Sequence, residues 1–258
     1  MLTLAASMAL DTAVQPQSTA SGPMQLLAAG SLRDAMNAMK QLFEQESGVS
    51  VNAAYGPSGK LRGDIEGGRR MDVFASASIE HTNILADKGL LASSLLFTHN
   101  ELCVASTPAA GVTESNLLEA LAQPALRLAT STPVSDPMGD YTWQFFKKAD
   151  QAKAGLYGIF DNKAMKLSGA TTPAPGEKLP YVTAFEADKA DAYIMYCTNA
   201  MMTKQSVKDL VIIRIPDALN VRSNYGIGAH PDSTHGQRFV DLVMSERGQA
   251  ILKQYGFN

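Results

Sequence analysis

The sequence is poor in the residues that most often carry catalysis or bind metals. Its 258 residues include 2 cysteines, 4 histidines and 1 tryptophan. The histidines share no metal-ligand spacing, and no C-x-x-C pair occurs. The motifs H-E-x-x-H, G-x-S-x-G and G-x-x-x-x-G-K-[ST] are missing as well. These absences exclude the common zinc, dithiol, nucleophile-elbow and P-loop sites and argue against an enzyme.

Two cysteines are also too few for a disulfide framework. Cys103 and Cys197 are most simply two small buried side chains, because free cysteine behaves as a small hydrophobic residue. A single disulfide between them stays open as an alternative if the compartment is oxidising.

Neither an excess of positive charge nor a long apolar run is present. Lysine and arginine number 22 against 25 acidic residues, for a formal net charge of -3. Such a chain has no electrostatic reason to bind nucleic acid or an anionic membrane. No run reaches the roughly 18 apolar residues that a transmembrane helix needs. We therefore predict a globular protein in which local geometry must hold any bound anion.

The first 23 residues differ in composition from the rest of the chain. Residues 1–10 are apolar and small, and residues 11–23 are polar with proline, serine and threonine. This pattern is typical of the end of a secretory signal peptide, although the basic n-region is missing. We predict a disordered leader or signal remnant that lies outside the fold.

From Met24 onward, short apolar runs alternate with segments of helical periodicity. Three strands are predicted, over 25–29, 49–55 and 71–75, and a helix follows each one. This alternation predicts an α/β fold with parallel strands and flanking helices. Ligands of such sheets bind at the carboxyl ends of the strands, next to helix N-termini.

Three of the predicted strand-to-helix turns carry groups that suit an anion. Ser31 and Ser58 each open a helix, and a third helix is predicted to begin after residues 137–139. A helix N-terminus offers unpaired backbone N–H groups and partial positive charge, and a serine adds a hydroxyl donor. The alternative for each serine is an N-cap that bonds only its own helix.

A series of motifs resembles those of periplasmic molybdate-binding proteins, in the same order. The resemblance runs from about Gln25 to the end of the chain. The motifs are LAAGSLRDAM at 27–36, FEQESGV at 43–49, YGPSGKL at 55–61, DIEGG at 64–68 with MDVFASA at 71–77, DPMGDY at 136–141, ADAYIMY at 190–196 and QAILKQYGF at 249–257.

The resemblance implies the two-lobed, type II periplasmic binding protein fold. Each lobe is then a mixed or parallel sheet flanked by helices, with a hinge between the lobes. Lobe 1 is expected at residues 24–102 plus 222–258, and lobe 2 at residues 103–221.

The resemblance also implies an oxyanion site made of neutral donors from both lobes. Ser31 and Ser58 correspond to donors of one lobe, and Tyr196 to a phenol donor of the other. Met138 stands in place of an alanine, and Lys178 in place of a valine, that donate backbone N–H groups. A charged side chain at Lys178 departs from the family's neutral site, and we expect it to point to solvent. Tyr193 is a second departure, because the family has a glycine at this position.

The function implied is capture of molybdate or tungstate and delivery to an ABC-type permease. The protein is then a periplasmic monomer that binds no nucleic acid, uses no cofactor and has no direct cation ligands. One alternative is a binding protein for another oxyanion or a small carboxylate. Another is an enzyme or ligand sensor that reuses the fold.

Overall fold

The computed structural model describes residues 22–172, 174 and 177–257, so the predicted leader lies outside them except for its last two residues. The strands form two five-stranded sheets. Within the described ranges, no helix combines the length and apolar character needed to cross a membrane.

Lobe 1 is built on the sheet that contains the N-terminal strand. Its strand order is β2-β1-β3-β10-β4, with β2 and β3 parallel to β1, and β10 antiparallel to β3 and β4. The strands are β1 (Met24–Ala29), β2 (Val51–Gly56), β3 (Val73–Ser76), β4 (Leu95–Asn100) and β10 (Ser223–Ala229). The helices are α1 (Arg33–Ser47), α2 (Ser58–Glu66), α3 (Ile79–Asp87), α9 (Thr234–Met244) and α10 (Glu246–Gln254).

Lobe 2 repeats this arrangement with the middle of the chain. Its strand order is β7-β6-β8-β5-β9, with β7 and β8 parallel to β6, and β5 antiparallel to β8 and β9. The strands are β5 (Leu102–Ser106), β6 (Leu128–Ser131), β7 (Met165–Ser168), β8 (Ala192–Tyr196) and β9 (Val211–Arg214). The helices are α4 (Leu117–Ala122), α5 (Pro137–Ala152), α6 (Leu156–Lys163), α7 (Pro180–Glu186) and α8 (Cys197–Ser206).

The predicted fold class is confirmed, but strand–helix alternation accounted only for the parallel strands. β4 and β5 follow each other with one intervening residue, so no crossover helix separates them. The chain leaves the sheet of lobe 1 after Asn100 and returns to it at Ser223. The lobe boundaries at 102 and 222 stay a prediction.

Strands β3, β5, β6 and β8 are buried along their whole length, which gives the strand ends a rigid base.

Apolar periodicity predicts one closing helix over residues 238–255, but this prediction is wrong, because two helices cover the region. Ser245 has an extended backbone, with φ -69° and ψ 162°, and it ends α9. Its hydroxyl accepts a hydrogen bond from the Gly248 amide, so Ser245 also caps the start of α10. Apolar periodicity continues through this break and does not reveal it.

The two cysteines are joined in a disulfide, so the simpler expectation of two separate buried side chains is wrong. Strand pairing brings them together, because Leu102 of β5 lies opposite Tyr196 of the antiparallel strand β8. Cys103 directly follows Leu102 and Cys197 directly follows Tyr196, so the cysteines are diagonal neighbours across the two strands. The Cys197 amide also donates to the Glu101 carbonyl at 2.9 Å. A separation of 94 residues conceals this proximity in the sequence.

Candidate functional site

A cavity lies between the lobes, where the carboxyl ends of the parallel strands of both sheets meet the following helices. Its lining comes from both lobes. The lining residues are Ala29, Gly30, Ser31, Arg33, Tyr55, Gly56, Pro57 and Ala77 from lobe 1, and Asp136, Met138, Ser168, Gly169, Thr171, Leu179, Pro180, Tyr181, Tyr196 and Asn199 from lobe 2. This is the edge at which the strand–turn–helix pattern placed a ligand.

Ser31 is held by a chain of hydrogen bonds that leaves its proton available to a ligand. It lies in a 3-10 turn between β1 and α1, with its Oγ 2.9 Å from the Tyr225 hydroxyl. Asn100 Nδ2 donates to that same phenol oxygen at 3.2 Å. The Tyr225 proton can therefore point to Ser31, whose own hydroxyl proton is then free to point into the cavity.

Ser58 is the first residue of α2 and lies beside the cavity without lining it. Its Oγ accepts a hydrogen bond from the Ala77 amide at 3.0 Å, while both Pro57 and Ala77 do line the cavity. The alternative in which the two serines cap their own helices is wrong, because neither makes such a bond. The Ser58 hydroxyl proton has no acceptor among the residues that the structure describes.

Met138 lines the cavity, but its amide already has a partner. Its N–H donates to Asp136 Oδ1 at 3.2 Å, since Asp136 is the N-cap of α5. An aspartate before a proline at the first helical position is a cap signature, so the sequence contained this signal. The methionine sulfur in turn faces the Tyr196 amide at 3.4 Å and the Asn199 amide group at 3.7 Å.

Tyr196 brings a buried hydroxyl to the cavity. The residue is only 1% exposed, and its hydroxyl has no hydrogen-bond partner in the described part of the chain. Burial raises its pKa well above the usual value, so the phenol stays protonated. The nearby Ser223 hydroxyl opposes this rise, but the two groups do not reach hydrogen-bond geometry.

Lys178 and Tyr193 do not contribute side chains to the lining. The Lys178 ammonium forms an exposed ion pair with Glu186, at 2.9 and 2.7 Å from its two carboxylate oxygens. The Tyr193 hydroxyl donates within lobe 2, to Ser168 Oγ at 2.8 Å and the Thr130 carbonyl at 3.1 Å. The bulky residue that replaces a glycine is therefore part of the core of its lobe.

The sequence analysis missed two charged residues of the cavity, Arg33 and Asp136. The Arg33 guanidinium lies 6.0 Å from the centre of the Tyr55 ring and forms no ion pair within the described ranges. Burial raises the pKa of Asp136 to about 6, against opposing hydrogen bonds from Ser131 and the Met138 amide. Both residues lie within the motifs at 27–36 and 136–141, for which the family resemblance implies only neutral donors.

The described residues contain no group of three or more histidine, cysteine, aspartate or glutamate side chains that could hold a metal ion. The cavity instead offers hydroxyl donors, one guanidinium, and two acceptors, the Asp136 carboxyl and the buried, unpartnered Asn199 Oδ1. Such a lining can surround a small anion with hydrogen bonds.

Comparisons with known proteins agree with the resemblance seen in the sequence. The profile of a family described as bacterial extracellular solute-binding protein matches residues 24–258. The chain is 34% identical to an uncharacterized protein of Pasteurella multocida (strain Pm70), over 91% of this chain and 98% of the relative. It is 28% identical to the molybdate-binding protein ModA of Escherichia coli (strain K12), over 99% of this chain and 97% of the relative.

The fold agrees with that of a solved protein. The periplasmic molybdate-binding protein of Azotobacter vinelandii superposes with a TM-score of 0.72 at 16% identity, covering 91% of this chain and 98% of that one. At this identity the agreement concerns the arrangement of the two lobes and leaves the choice of ligand open.

Proposed function

Because the chain belongs to the family of bacterial extracellular solute-binding proteins, we propose that it captures molybdate or tungstate between its lobes. In this proposal it delivers the oxyanion to an ABC-type permease, working in the periplasm as a monomer. The anion is cargo, and the protein performs no reaction on it. Relatives named as molybdate-binding proteins support this choice of ligand.

The observation that carries the proposal is the buried Tyr196 hydroxyl, which has no hydrogen-bond partner among the described residues. Leaving a buried hydroxyl unsatisfied costs about 1–3 kcal/mol, so nearly all such groups in folded proteins are bonded. An oxyanion in the cavity would accept a hydrogen bond from this hydroxyl, together with one from the Ser31 hydroxyl of the opposite lobe. Binding would then satisfy both groups at once.

Donors on two lobes also explain how the anion is enclosed and released. A desolvated dianion needs hydrogen bonds on all sides, and bonds to a charged acceptor are stronger than neutral ones. An anion that contacts Ser31 and Tyr196 together binds the closed arrangement better than an open one. Ligand binding therefore favours closure, and opening releases the anion.

Calorimetric titration with molybdate, tungstate, sulfate and phosphate tests the proposal. We expect tight binding of the first two and weaker binding of the smaller anions. A site sized for long metal–oxygen bonds leaves a smaller anion short of hydrogen bonds, at about 1–3 kcal/mol each. Equal affinity for sulfate and molybdate would refute the proposed selectivity.

One feature of the lining favours a second candidate, a small anion that also carries a hydrogen-bond donor, such as a protonated oxyanion or the hydroxyl group of a small hydroxy acid. Asp136 and Asn199 Oδ1 are acceptors, and a fully deprotonated oxyanion has no hydrogen to offer them. A partly protonated oxyanion or a small hydroxy acid does. In the same titration, tighter binding of phosphate near neutral pH than of molybdate would support this candidate.

A further inference from the structure

We propose that Arg33 contacts the bound anion directly and sets how strongly charge, as opposed to shape, determines which anions bind. The inference rests on the proposed function only in taking the cavity as an anion site. Arg33 is the one positively charged residue in the described lining of the cavity. It would supply a planar pair of N–H donors to two oxygens of the same anion.

The first support is that Arg33 is partly buried and forms no ion pair with any carboxylate in the part of the chain that the structure describes. Elsewhere near the cleft, cations are paired: Lys60 lies 3.2 Å from Asp64 and Lys178 lies 2.7 Å from Glu186. Taking an unpaired guanidinium partly out of water is unfavourable, because its hydration is lost without compensation. An anion in the cavity would provide the missing counter-charge.

The second support is that neighbouring groups hold Arg33 at the cavity. Its guanidinium lies 6.0 Å from the centre of the Tyr55 ring, within the range of a cation–π contact. The Tyr55 hydroxyl donates to Asn37 Oδ1 at 2.7 Å, which fixes the ring. Both Arg33 and Tyr55 line the cavity, so the contact positions the charge there without neutralising it.

The third support is that the field of Arg33 reaches across the cleft to lobe 2. Burial raises the pKa of Tyr181, and the positive charge of Arg33 opposes this rise. Tyr181 lines the cavity, and its hydroxyl makes no hydrogen bond to another described residue. With the unpartnered Tyr196 hydroxyl, these groups surround the space between the lobes with donors.

A guanidinium adds affinity that depends on the charge of the anion and little on its shape. Neutral donors discriminate by matching the number and position of the oxygens, whereas a cation attracts any anion that reaches it. Arg33 should therefore raise the affinity for all tetrahedral oxyanions and make binding sensitive to ionic strength.

The test compares Arg33→Met and Arg33→Lys with the parent protein. Arg238→Met is the matched control, because Arg238 is exposed on α9, has no described ion pair and carries the same charge. The full chain of each variant is titrated with sodium molybdate, tungstate, sulfate and phosphate. Each titration is made at about 0.01 M and about 0.15 M salt.

We expect Arg33→Met to lose roughly tenfold to a hundredfold in affinity, as for loss of a charge-assisted hydrogen bond. The loss should be smaller at the higher salt concentration. Arg33→Lys keeps the charge but loses the planar pair of donors, so its affinity should fall between those of the parent and Arg33→Met. Arg238→Met should stay within about twofold of the parent, because screening weakens the effect of a distant exposed charge.

The outcomes separate this inference from the proposed function. If Arg33→Met binds every anion as tightly as the parent at both salt concentrations, the inference is wrong and the proposed function stands. If the parent binds sulfate or phosphate but neither molybdate nor tungstate, and Arg33→Met weakens that binding, the proposed cargo is wrong and the inference holds. A parent that binds none of the four anions overturns both. Circular dichroism melting of each variant shows whether it is folded, and Arg33→Lys tests the inference if Arg33→Met is not.

Discussion

At the scale of single residues, the cavity is defined by hydroxyl groups whose bonding is incomplete. Tyr196 and Ser31 come from opposite lobes: the Tyr196 hydroxyl has no partner among the described residues, and the Ser31 proton is free when Tyr225 donates to Ser31. A buried donor of this kind is unfavourable for the empty protein and favourable for the bound one, so removing it should affect stability and affinity in opposite directions.

Tyr196→Phe should lower the affinity for the anion by about tenfold or more, since a hydrogen bond to a charged group contributes about 1.5–3 kcal/mol. The free energy of unfolding of the empty protein should stay the same or rise, because the variant no longer buries an unpaired hydroxyl. Calorimetric titration and urea unfolding measure the two effects. Tyr255→Phe, at a tyrosine that is 37% exposed, is the control. A Tyr196→Phe protein that is less stable yet binds normally would show that the hydroxyl is structural.

Asp136 should make both stability and binding depend on pH. Its pKa is raised from 3.8 to about 6, with burial as the largest cause, so the folded protein holds this proton more tightly than the unfolded chain. The stabilising contribution is complete below pH about 4 and is lost as the pH rises through about 6. Above that pH the carboxylate is ionised and repels an anion in the cavity, so affinity should also fall.

Asp136→Asn should remove this part of the pH dependence, because the amide is neutral at every pH tested. The measurements are the free energy of unfolding and the ligand affinity on either side of pH 6, compared between variant and parent. Asp241→Asn, at an exposed aspartate of α9, makes the same change of charge away from the cavity. Parallel pH profiles for the parent and Asp136→Asn would contradict the expectation.

At the scale of elements, the N-terminus of α2 in lobe 1 bonds directly to the backbone of lobe 2. The amides of Gly59 and Lys60 donate to the Ser135 carbonyl of lobe 2, at 3.0 and 3.2 Å. Ser135 follows Val134, a valine that is 81% exposed with φ +70°, in the left-handed region that β-branched residues rarely adopt. We interpret this contact as a latch between the lobes, in which amides at a helix N-terminus bond to the protein's own carbonyl oxygen rather than to an anion.

Gly59→Ala should hold the lobes apart, because a Cβ at this position would overlap the Val134 and Ser135 carbonyl oxygens. We expect a larger radius of gyration by small-angle scattering with saturating ligand, and a lower affinity. Gly63→Ala in the same helix is the matched control, since its Cβ would meet open space. That control should stabilise α2 by up to about 1 kcal/mol through helix propensity. Normal closure in Gly59→Ala would remove the latch interpretation.

At the scale of the whole molecule, the disulfide ties the strand by which the chain enters lobe 2 to the segment that presents Tyr196. Cys103 lies in β5, and Cys197 directly follows Tyr196 at the start of α8. The bond closes a loop over a sequence separation of 94 residues and restricts the unfolded chain accordingly.

Replacing both cysteines by alanine should lower the free energy of unfolding by about 2–5 kcal/mol, as for other native disulfides. Urea unfolding with and without a reductant measures this. The reductant should destabilise the parent by a similar amount and leave the double variant unchanged. A parent that is insensitive to complete reduction would show that the bond contributes little to stability.

The sequence by itself determined the local features, which depend on residues close together in the chain. Alternating apolar runs predicted the parallel strands, and the turns at Ser31 and Ser58 predicted the edge of the sheets where the cavity lies. The resemblance of ordered motifs predicted two lobes and a site between them. Such signals persist in the sequence because a strand, a turn and a helix start each span only a few residues.

Only the tertiary structure decided which hydroxyl, amide, thiol and charged groups are bonded within the protein and which can bond to a ligand. The Ser31 hydroxyl bonds to the hydroxyl of Tyr225, which is 194 positions away, and the cysteines pair across 94. When the two lobes pack, the Gly59 and Lys60 amides of α2 bond to the Ser135 carbonyl, and Arg33 has no carboxylate partner among the described residues. Each outcome depends on which distant group arrives within hydrogen-bond distance, and that follows from how the two sheets pack rather than from any short stretch of sequence.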